Sequence, residues 1–236
     1  MHLFYDPTID VLAKTHILNE EESKHACKVM RLVSGNEITI LNGKGIEFIA
    51  KIIESHPKHC KVEIISKTEE LDPNYELHIA IAPTKIIDRI EWFLEKATEI
   101  GVTEITPLIC SNSERKIIKE ERLEKILIAA MKQSKRLFLP KLNPLTEISS
   151  FIKQHPKGLI AHCYEGDKAS ISEVFETKNS PILIGPEGDF TLSEVELALQ
   201  TGYKTISLGE NRLRTETAGL YSCMQAMMVL ERDLKE

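Results

Sequence analysis

The sequence has little of what marks secreted or membrane-spanning proteins. Its five cysteines, at positions 27, 60, 110, 163 and 223, contain no C-x-x-C pair and no short spacing, which argues against a disulfide framework and favours a reducing compartment. No segment reaches the roughly 20 apolar residues that span a bilayer, and the first residues lack the basic and apolar regions of a signal peptide. We therefore expect a cytoplasmic protein.

Several common catalytic and metal-binding motifs are also absent. The chain has no G-x-S-x-G, no G-x-x-x-x-G-K-[ST], no G-x-G-x-x-G after a strand and no H-E-x-x-H. The nearest approach to a metal site is "HPKH" at 56–59, and two histidines without a third ligand are weak grounds for zinc, so we expect no metal. The net charge of -6 argues against general attraction to nucleic acid, so a polyanion would have to meet a local basic patch.

What the sequence does contain divides into two unequal parts. From 36 to 66, short β-rich runs are broken by "NGKG" and "SHPKHC", a pattern typical of antiparallel hairpins in a small barrel. After Asp72 and Pro73, buried strands alternate with amphipathic helices, which predicts an open parallel α/β sheet. We place the domain boundary here, giving domains 1–72 and 73–236.

Two helices of the second part are well specified. Apolar residues recur at spacings of three or four and stop at Gly101, a suitable residue for a helix end; they are Ile86, Ile90, Phe93, Ala97 and Ile100. Thr191 and Glu194 have the spacing of a capping box, which predicts a helix start directly after "GPEGDF".

Two predicted strands end in segments that could form a binding pocket. "PILIGPEGDFT" and "KTISLGENRLRTETA" each deliver glycine to the carboxyl edge of the sheet, where ligands bind in open α/β folds. An ordinary turn and a helix cap made by Thr215 or Thr217 would explain much of both segments. They would not explain Arg212 and Arg214, because cations at a helix amino terminus need an anionic partner.

Basic residues are concentrated in two further segments. If 20–31 is helical, Lys24, Lys28 and Arg31 share one face beside His25, and such a face could bind phosphates. A solvated charged face is at least as compatible with this pattern. Residues 111–136 carry eight Lys and Arg against four Glu, including Lys132, Lys135 and Arg136.

Four strings together resemble one family. "GPEGDF" is similar to G-P-E-G-G-F, "LRTETA" at 213–218 matches the family motif, "DRIEWFLEKATEIGVTEITPL" with "KQSKR" resembles its helix and strand blocks, and "HACKVMR" resembles H-x-x-x-V-L-R. The family is the RsmE group of SPOUT methyltransferases, which methylate N3 of a uridine in 16S ribosomal RNA. The resemblance implies a SPOUT-type trefoil-knotted parallel α/β domain preceded by a small PUA-like β-barrel domain that binds RNA. It also implies S-adenosyl-L-methionine as cofactor, the small ribosomal subunit as partner and a homodimer.

The resemblance carries functional residues onto this chain by position. Because Arg214 and Glu216 lie beside the implied pocket, they are our candidate catalytic residues: we expect Arg214 to hold the uracil oxygens or a flanking phosphate and Glu216 to accept the N3 proton. The implied cofactor contacts are Leu183, Gly185, Pro186, Glu187, Gly188, Leu208, Gly209, Leu213, Thr215, Thr217 and Ala218. The expected RNA contacts are Lys24, His25, Lys28, Arg31, Lys132, Lys135 and Arg136. Two departures are Asp189, where the family has a second glycine, and Arg212, which follows Asn211 where many members have arginine and then an aliphatic residue.

Alternatives to this function stay open from the sequence. Pocket motifs say more about the cofactor than about the target atom, so a SPOUT enzyme acting on a ribose 2′-hydroxyl or on transfer RNA is one alternative. A noncatalytic RNA-binding ribosome-assembly protein is the other. The last helix, "TAGLYSCMQAMMVLERDL", is apolar around much of its circumference, which suits either a buried core helix or a dimer interface.

Overall fold

The computed structural model describes residues 2–233 and contains two separate β-sheets. Its helices and strands divide between two compact units. One comprises the chain up to Asp72 together with Met131–Leu139, and the other comprises Pro73–Ala130 and the chain from Pro140 onward. The segment 131–139, which the sequence-based division assigns to the second domain, thus belongs to the first unit. The reason is hydrogen bonding between backbone segments distant in sequence: Gly45 N donates to Leu137 O over 3.0 Å.

The first unit is built on a five-stranded sheet. Its strands are β1 (Leu3–Tyr5), β2 (Thr15–Ile17), β3 (Glu37–Leu41), β4 (Ile46–Glu54) and β5 (Lys61–Glu69), in the order β1-β3-β4-β5-β2. The predicted antiparallel pairing is present in β3–β4–β5, whereas β1 pairs with β3 in parallel. Alternate residues of β4, such as Phe48 and Ile52, point into an apolar core because successive strand residues face opposite sides. Closure of this sheet into a barrel stays a prediction.

Residues 20–31, whose shared basic face depends on a helical conformation, form a regular α-helix only in part. Helix α1 spans Glu20–Lys24 and continues as a π-helical turn over His25–Val29, in which Met30 N donates to His25 O over 2.9 Å. Arg31 then leaves the helix with φ of 55°. The spacing of an α-helix therefore does not extend from Lys24 to Arg31, so the condition on which these residues would share one helical face is not met.

The second unit contains a parallel sheet with helices between its strands, which confirms the predicted α/β class. The strands are β6 (His78–Ile81), β7 (Glu104–Ile109), β8 (Lys141–Leu142), β9 (Thr146–Glu147), β10 (Gly158–Ala161), β11 (Ile182–Ile184) and β12 (Tyr203–Ile206). The helices are α2 (Ile87–Ile100), α3 (Glu120–Ser134), α4 (Ile148–Gln154), α5 (Ile171–Val174), α6 (Leu192–Gln200) and α7 (Thr215–Asp233). The end of α3, residues 131–134, belongs to the first unit. The sheet order is β12-β10-β11-β6-β7-β8, with β9 also paired to β7. Within residues 2–233, no helix combines the length and apolarity needed to cross a membrane.

Both helix ends that the sequence specified are confirmed. Helix α2 buries Ile90, Phe93 and Ala97 and ends at Gly101, whose φ of 120° is readily adopted by glycine. Helix α6 begins with the complete capping box, in which Thr191 accepts from Glu194 N and the Glu194 carboxylate accepts from Thr191 N. The first cap fixes where the chain leaves α2 on its way to β7, and the second fixes where it enters α6 after β11.

His78 is a buried imidazole at the start of β6. Its Nε2 lies 2.8 Å from Thr106 Oγ1, and its ring meets those of Phe151 and His155 edge-on. Burial lowers the pKa of His78 from 6.5 to about 4; Glu104 opposes this shift, and the charges of His155 and Lys141 add to it. The folded chain therefore holds this imidazole neutral under conditions in which the unfolded chain protonates it.

We expect the second unit to lose stability as the pH falls from about 6.5 to about 4. Because the pKa of His78 is lower in the folded state, the unfolded state binds more protons in this window, and the loss should approach 3 kcal/mol, on the order of 1.4 kcal/mol per pKa unit. Urea unfolding followed by the fluorescence of Trp92, the single tryptophan, measures it. A His78→Gln variant, which does not titrate, should show a flatter profile, and an unchanged slope in that variant would contradict the assignment.

Candidate functional site

A cavity of about 660 Å³ lies where three parallel strands of the second unit end. Its walls come from the segments that follow β10, β11 and β12 and from the first turn of α7. Such a volume is in the range of small-molecule sites, and the carboxyl edge of a parallel sheet is where α/β proteins bind ligands. Both strand ends chosen from the sequence therefore meet at one cavity.

Most residues expected to contact a cofactor line this cavity. These are Gly185, Pro186, Glu187, Leu208, Gly209, Leu213, Thr215 and Ala218, together with Arg214. Three expected contacts do not: Leu183 is fully buried within β11, Gly188 is turned toward Asn112, and Thr217 is exposed on α7. Thr215 does more than begin the helix, because its hydroxyl donates to Gly185 O over 3.1 Å and ties α7 to the end of β11.

Glycines and a glutamate give the cavity features of a ligand site. Gly209 has φ of 102°, and a Cβ there would meet no atom within 4 Å, so its backbone borders open space that a side chain would enter. Glu187 accepts from Lys85 N through Oε1 over 2.9 Å. Its Oε2 is shielded from solvent without a hydrogen-bond partner among residues 2–233. Backbone groups and one unpaired carboxylate oxygen are therefore available to a ligand.

The two proposed catalytic side chains differ in their surroundings. Arg214 lines the cavity, is exposed, and makes no side-chain hydrogen bond or ion pair within the described part of the chain. Glu216 does not line the cavity: it is buried, its Oε1 lies 3.8 Å from Arg89 Nε, and its Oε2 has no partner among residues 2–233. Helical geometry explains the difference, since one residue beyond Thr215 is rotated by about 100° around the helix.

The structure explains how Asp189 fits at a position where the family motif has glycine. Its φ of 63° lies in the left-handed region, which aspartate tolerates better than most residues other than glycine. The carboxylate also accepts from Cys163 N and from Phe190 N, each over 2.8 Å. The substitution therefore keeps the turn and adds a link between the segments that follow β10 and β11. Arg212 contributes less, donating weakly to Glu187 O over 3.4 Å.

One wall of the cavity was not anticipated from the sequence. It is the segment following β10, which contributes Ala161, His162, Cys163, Tyr164, Glu165, Gly166 and Lys168. The apolar run "GLIAHC" at 158–163 has the composition of a buried strand, and a third strand ending at the same edge was the signal that could have located these residues. Burial, followed by the charge of Lys168, lowers the pKa of His162, while Asp189 opposes the shift.

The expected RNA contacts all lie in the first unit, and they are not equally available. Lys24, Lys28, Arg31 and Lys135 are exposed, and Arg136 is partly buried. Lys132 instead donates to Glu22 Oε1 over 2.8 Å, and His25 Nδ1 lies 3.4 Å from Glu22 Oε2. Because Glu22 is buried and also accepts from Tyr5 N, this carboxylate anchors Lys132 and His25 within the unit.

The fold and the cavity define a class: an α/β protein that holds a small molecule at the carboxyl edge of a parallel sheet and carries a separate small β unit. Comparison with known proteins makes this specific. The model of a family described as RNA methyltransferase domain matches residues 71–227, and one described as RNA methyltransferase PUA domain matches residues 18–65. The chain therefore belongs to the RNA methyltransferase family, and the predicted membership is confirmed.

Named relatives and solved structures agree with this family. The chain is 29% identical over 223 residues to ribosomal RNA small subunit methyltransferase E of Rickettsia conorii, covering 92% of this chain and 91% of that protein. It is 31% identical to the protein of that name from Mesomycoplasma hyopneumoniae, covering 82% and 86%. A crystal structure titled as a probable rRNA-methyltransferase from Porphyromonas gingivalis matches with a TM-score of 0.87 and 38% identity, over 99% of this chain and 100% of that chain. Ribosomal RNA small subunit methyltransferase E from Neisseria gonorrhoeae, solved bound to S-adenosyl methionine, matches with a TM-score of 0.82 and 25% identity over 98% of each chain.

Proposed function

We propose that this chain is a cytoplasmic enzyme that transfers a methyl group from S-adenosyl-L-methionine to N3 of a uridine in 16S ribosomal RNA. The observation that carries the proposal is that both motif segments line one cavity together with Arg214, whose side chain makes no hydrogen bond or ion pair among residues 2–233. The relatives named for methylation of small-subunit ribosomal RNA supply the substrate class. We further propose that residues 1–72, completed by 131–139, form a PUA-like barrel domain that binds RNA, and that the rest of 73–236 forms the domain that carries the knot.

The residues that line the cavity offer the chemical groups that the cofactor requires. Adenine requires backbone donors and acceptors in a partly apolar slot, and Leu208, Gly209, Leu213 and Ala218 supply apolar surface and accessible backbone. The two glycine-bearing turns allow close approach of the main chain. When bound, the cofactor supplies an activated methyl group on a sulfonium sulfur.

The reaction requires the protein to align the base, remove a proton and stabilise charge. Loss of the N3 proton leaves a negative charge that spreads to the two carbonyl oxygens of uracil; the new N3–methyl bond would form as the sulfur–methyl bond of the donor breaks, with S-adenosylhomocysteine as the leaving group. Arg214, whose guanidinium has no partner among residues 2–233, donates to these oxygens or to a flanking phosphate. Glu216 accepts the proton through its unpaired Oε2, which requires its side chain to turn from Arg89 toward the cavity. Because N3 is paired within a helix, the enzyme captures an unpaired or extruded base.

The test of this proposal is direct identification of the product. Small ribosomal subunits from a strain lacking the protein would be incubated with it and labelled cofactor, and the nucleosides analysed by mass spectrometry. We expect labelled N3-methyluridine. A 2′-O-methylated nucleoside, or product only on transfer RNA, would support the alternative SPOUT activity. If the protein binds the small ribosomal subunit but calorimetry detects no binding of the cofactor, the result would support a noncatalytic protein. Either outcome would overturn the proposal.

We propose that RNA phosphates bind the exposed basic residues of the first unit. Four of these residues are exposed and, unlike Lys132, form no ion pair with Glu22: Lys24, Lys28, Arg31 and Lys135. Phosphate contacts of this kind position a protein on RNA without reading its sequence. Because the chain carries a net charge of -6, a local patch suits an assembled ribosomal surface better than free RNA.

We propose that the chain forms a homodimer through α7. Tyr221, Met224 and Met228 recur at spacings of three and four and are exposed by 40%, 55% and 65%. A contiguous apolar stripe on one helix face is unusual on a monomer and is typical of an interface.

Replacing Met224 and Met228 together by glutamate should abolish this dimer. Burying two carboxylates without partners would cost several kcal/mol, enough to weaken association at least 100-fold. Light scattering at micromolar concentration should give a mass near 26.7 kDa for the variant and twice that for the unaltered chain. The matched control is Leu199→Glu, a charge at an exposed apolar residue of α6. A monomeric mass for the unaltered chain would contradict the proposal.

A further inference from the structure

The segment that follows β10 is fixed in place by three hydrogen bonds. Asp189 Oδ2 accepts from Cys163 N over 2.8 Å, and the Tyr164 hydroxyl donates to Phe190 O over 2.8 Å. Lys168 Nζ donates to His162 O over 2.7 Å. The main chain that follows the His162 ring is therefore held, while no hydrogen bond among residues 2–233 holds the ring itself.

The imidazole of His162 is the exception in this segment. Both ring nitrogens are shielded from solvent, and neither has a hydrogen-bond partner among residues 2–233. A buried polar atom without a partner costs about 1–3 kcal/mol, so two on one ring are unusual unless something else satisfies them. The residue lines the cavity, and its nearest aromatic neighbour, Tyr164, is 5.7 Å away between ring centroids, so that contact is not a tight stack.

We infer that His162 is a binding residue for the methyl donor, and that its imidazole hydrogen-bonds the ribose hydroxyls of the adenosyl group. This inference rests on the proposed function, because it takes that donor as the ligand. A neutral imidazole carries one N–H donor and one acceptor nitrogen. A vicinal diol offers both an acceptor oxygen and an O–H donor, so it can satisfy either nitrogen once the ring turns toward the cavity.

The charge state of the ring agrees with this assignment. Burial and the charge of Lys168 lower the pKa of His162, so the imidazole is neutral at pH 7. A neutral ring does not repel the positively charged sulfonium of the donor. It also keeps the acceptor nitrogen that protonation would remove.

The experiment compares His162→Phe with the unaltered chain by calorimetry, using S-adenosylhomocysteine as the probe. Phenylalanine keeps an aromatic ring but has no nitrogen, so we expect affinity to fall about 10-fold, the effect of roughly one lost hydrogen bond. His59→Phe, the same change at an exposed histidine of the first unit that does not line the cavity, is the matched control and should bind normally. Thermal unfolding of each variant establishes that it is folded.

A second measurement separates a hydrogen bond to ribose from a general disturbance of the wall. Adenosine, 2′-deoxyadenosine and 3′-deoxyadenosine would be bound to both proteins. The unaltered chain should bind at least one deoxynucleoside several-fold more weakly than adenosine, and His162→Phe should lose this discrimination. Equal affinity of the two proteins for S-adenosylhomocysteine, or discrimination retained in the variant, would overturn the inference. Failure of the proposed function is distinguishable, because it would appear either as a different product with cofactor binding intact or as an unaltered chain that binds no S-adenosylhomocysteine at all.

Discussion

Replacing Arg214 by alanine should lower the rate of methyl transfer to small ribosomal subunits by 100-fold or more. Arg214 is the guanidinium at the cavity that has no partner within the described chain, so its donors are free for the charge that develops on uracil. Removing one such donor from a site typically costs a factor of 10²–10³, or about 3–4 kcal/mol. Cofactor affinity should change little, because the backbone and apolar walls remain.

The assay measures transfer of labelled methyl at saturating cofactor, with cofactor binding followed separately by calorimetry. Arg212→Ala is the matched control: it removes an arginine from the same wall, and its weak contact with Glu187 O predicts less than a five-fold effect. An Arg214→Ala variant that transfers methyl normally would exclude the role. If the defect of this variant lies entirely in its affinity for the cofactor, Arg214 contacts the cofactor and not the uracil base.

The second large effect is expected for Glu216→Gln. Glutamine preserves the size of the side chain but cannot accept a proton, so loss of general-base catalysis should reduce kcat by about 10²–10⁴ while the cofactor still binds. Single-turnover transfer at saturating cofactor and subunit would measure the chemical step. The control is Glu210→Gln, which makes the same change at an exposed position of the cavity wall and should leave the rate unaltered.

A further variant separates catalysis from support of the helix. If Glu216 acts only through its contact with Arg89, then Arg89→Gln should reproduce the whole defect of Glu216→Gln. If Glu216 accepts the proton, Arg89→Gln should retain much of the activity. Full transfer by Glu216→Gln at saturating cofactor would remove the general-base role altogether.

Local sequence patterns predicted the elements whose causes are local. The capping box of Thr191 and Glu194 and the glycine at 101 each depend on residues within a few positions, and each formed as expected. The two motif segments located most of the cavity for a related reason: parallel strands bring their carboxyl ends to one edge.

What could not be predicted depends on residues distant in sequence or on helical phase. The partner of Lys132 is Glu22, which lies 110 positions earlier in the sequence. The sequence alone therefore could not show which basic side chains of the cluster are paired with a carboxylate. Glu216 is adjacent to Thr215 in sequence, yet the rotation between neighbouring residues of a helix directs it toward Arg89. The sequence also could not show that both ring nitrogens of His162 are buried without a hydrogen-bond partner among residues 2–233, because this depends on the folded positions of its neighbours.

The return of Met131–Leu139 to the first unit affects the order in which the protein can be completed during synthesis. Lys44 pairs with Phe138, and Leu139 N donates to Gly43 O, so the first unit needs a segment made long after its strands. Translation proceeds from the amino terminus, and domains generally fold as units when their residues have emerged. The small unit must therefore wait on the ribosome until β6, β7 and most of α3 have been synthesised, and the first half of the larger unit emerges before the smaller one is whole.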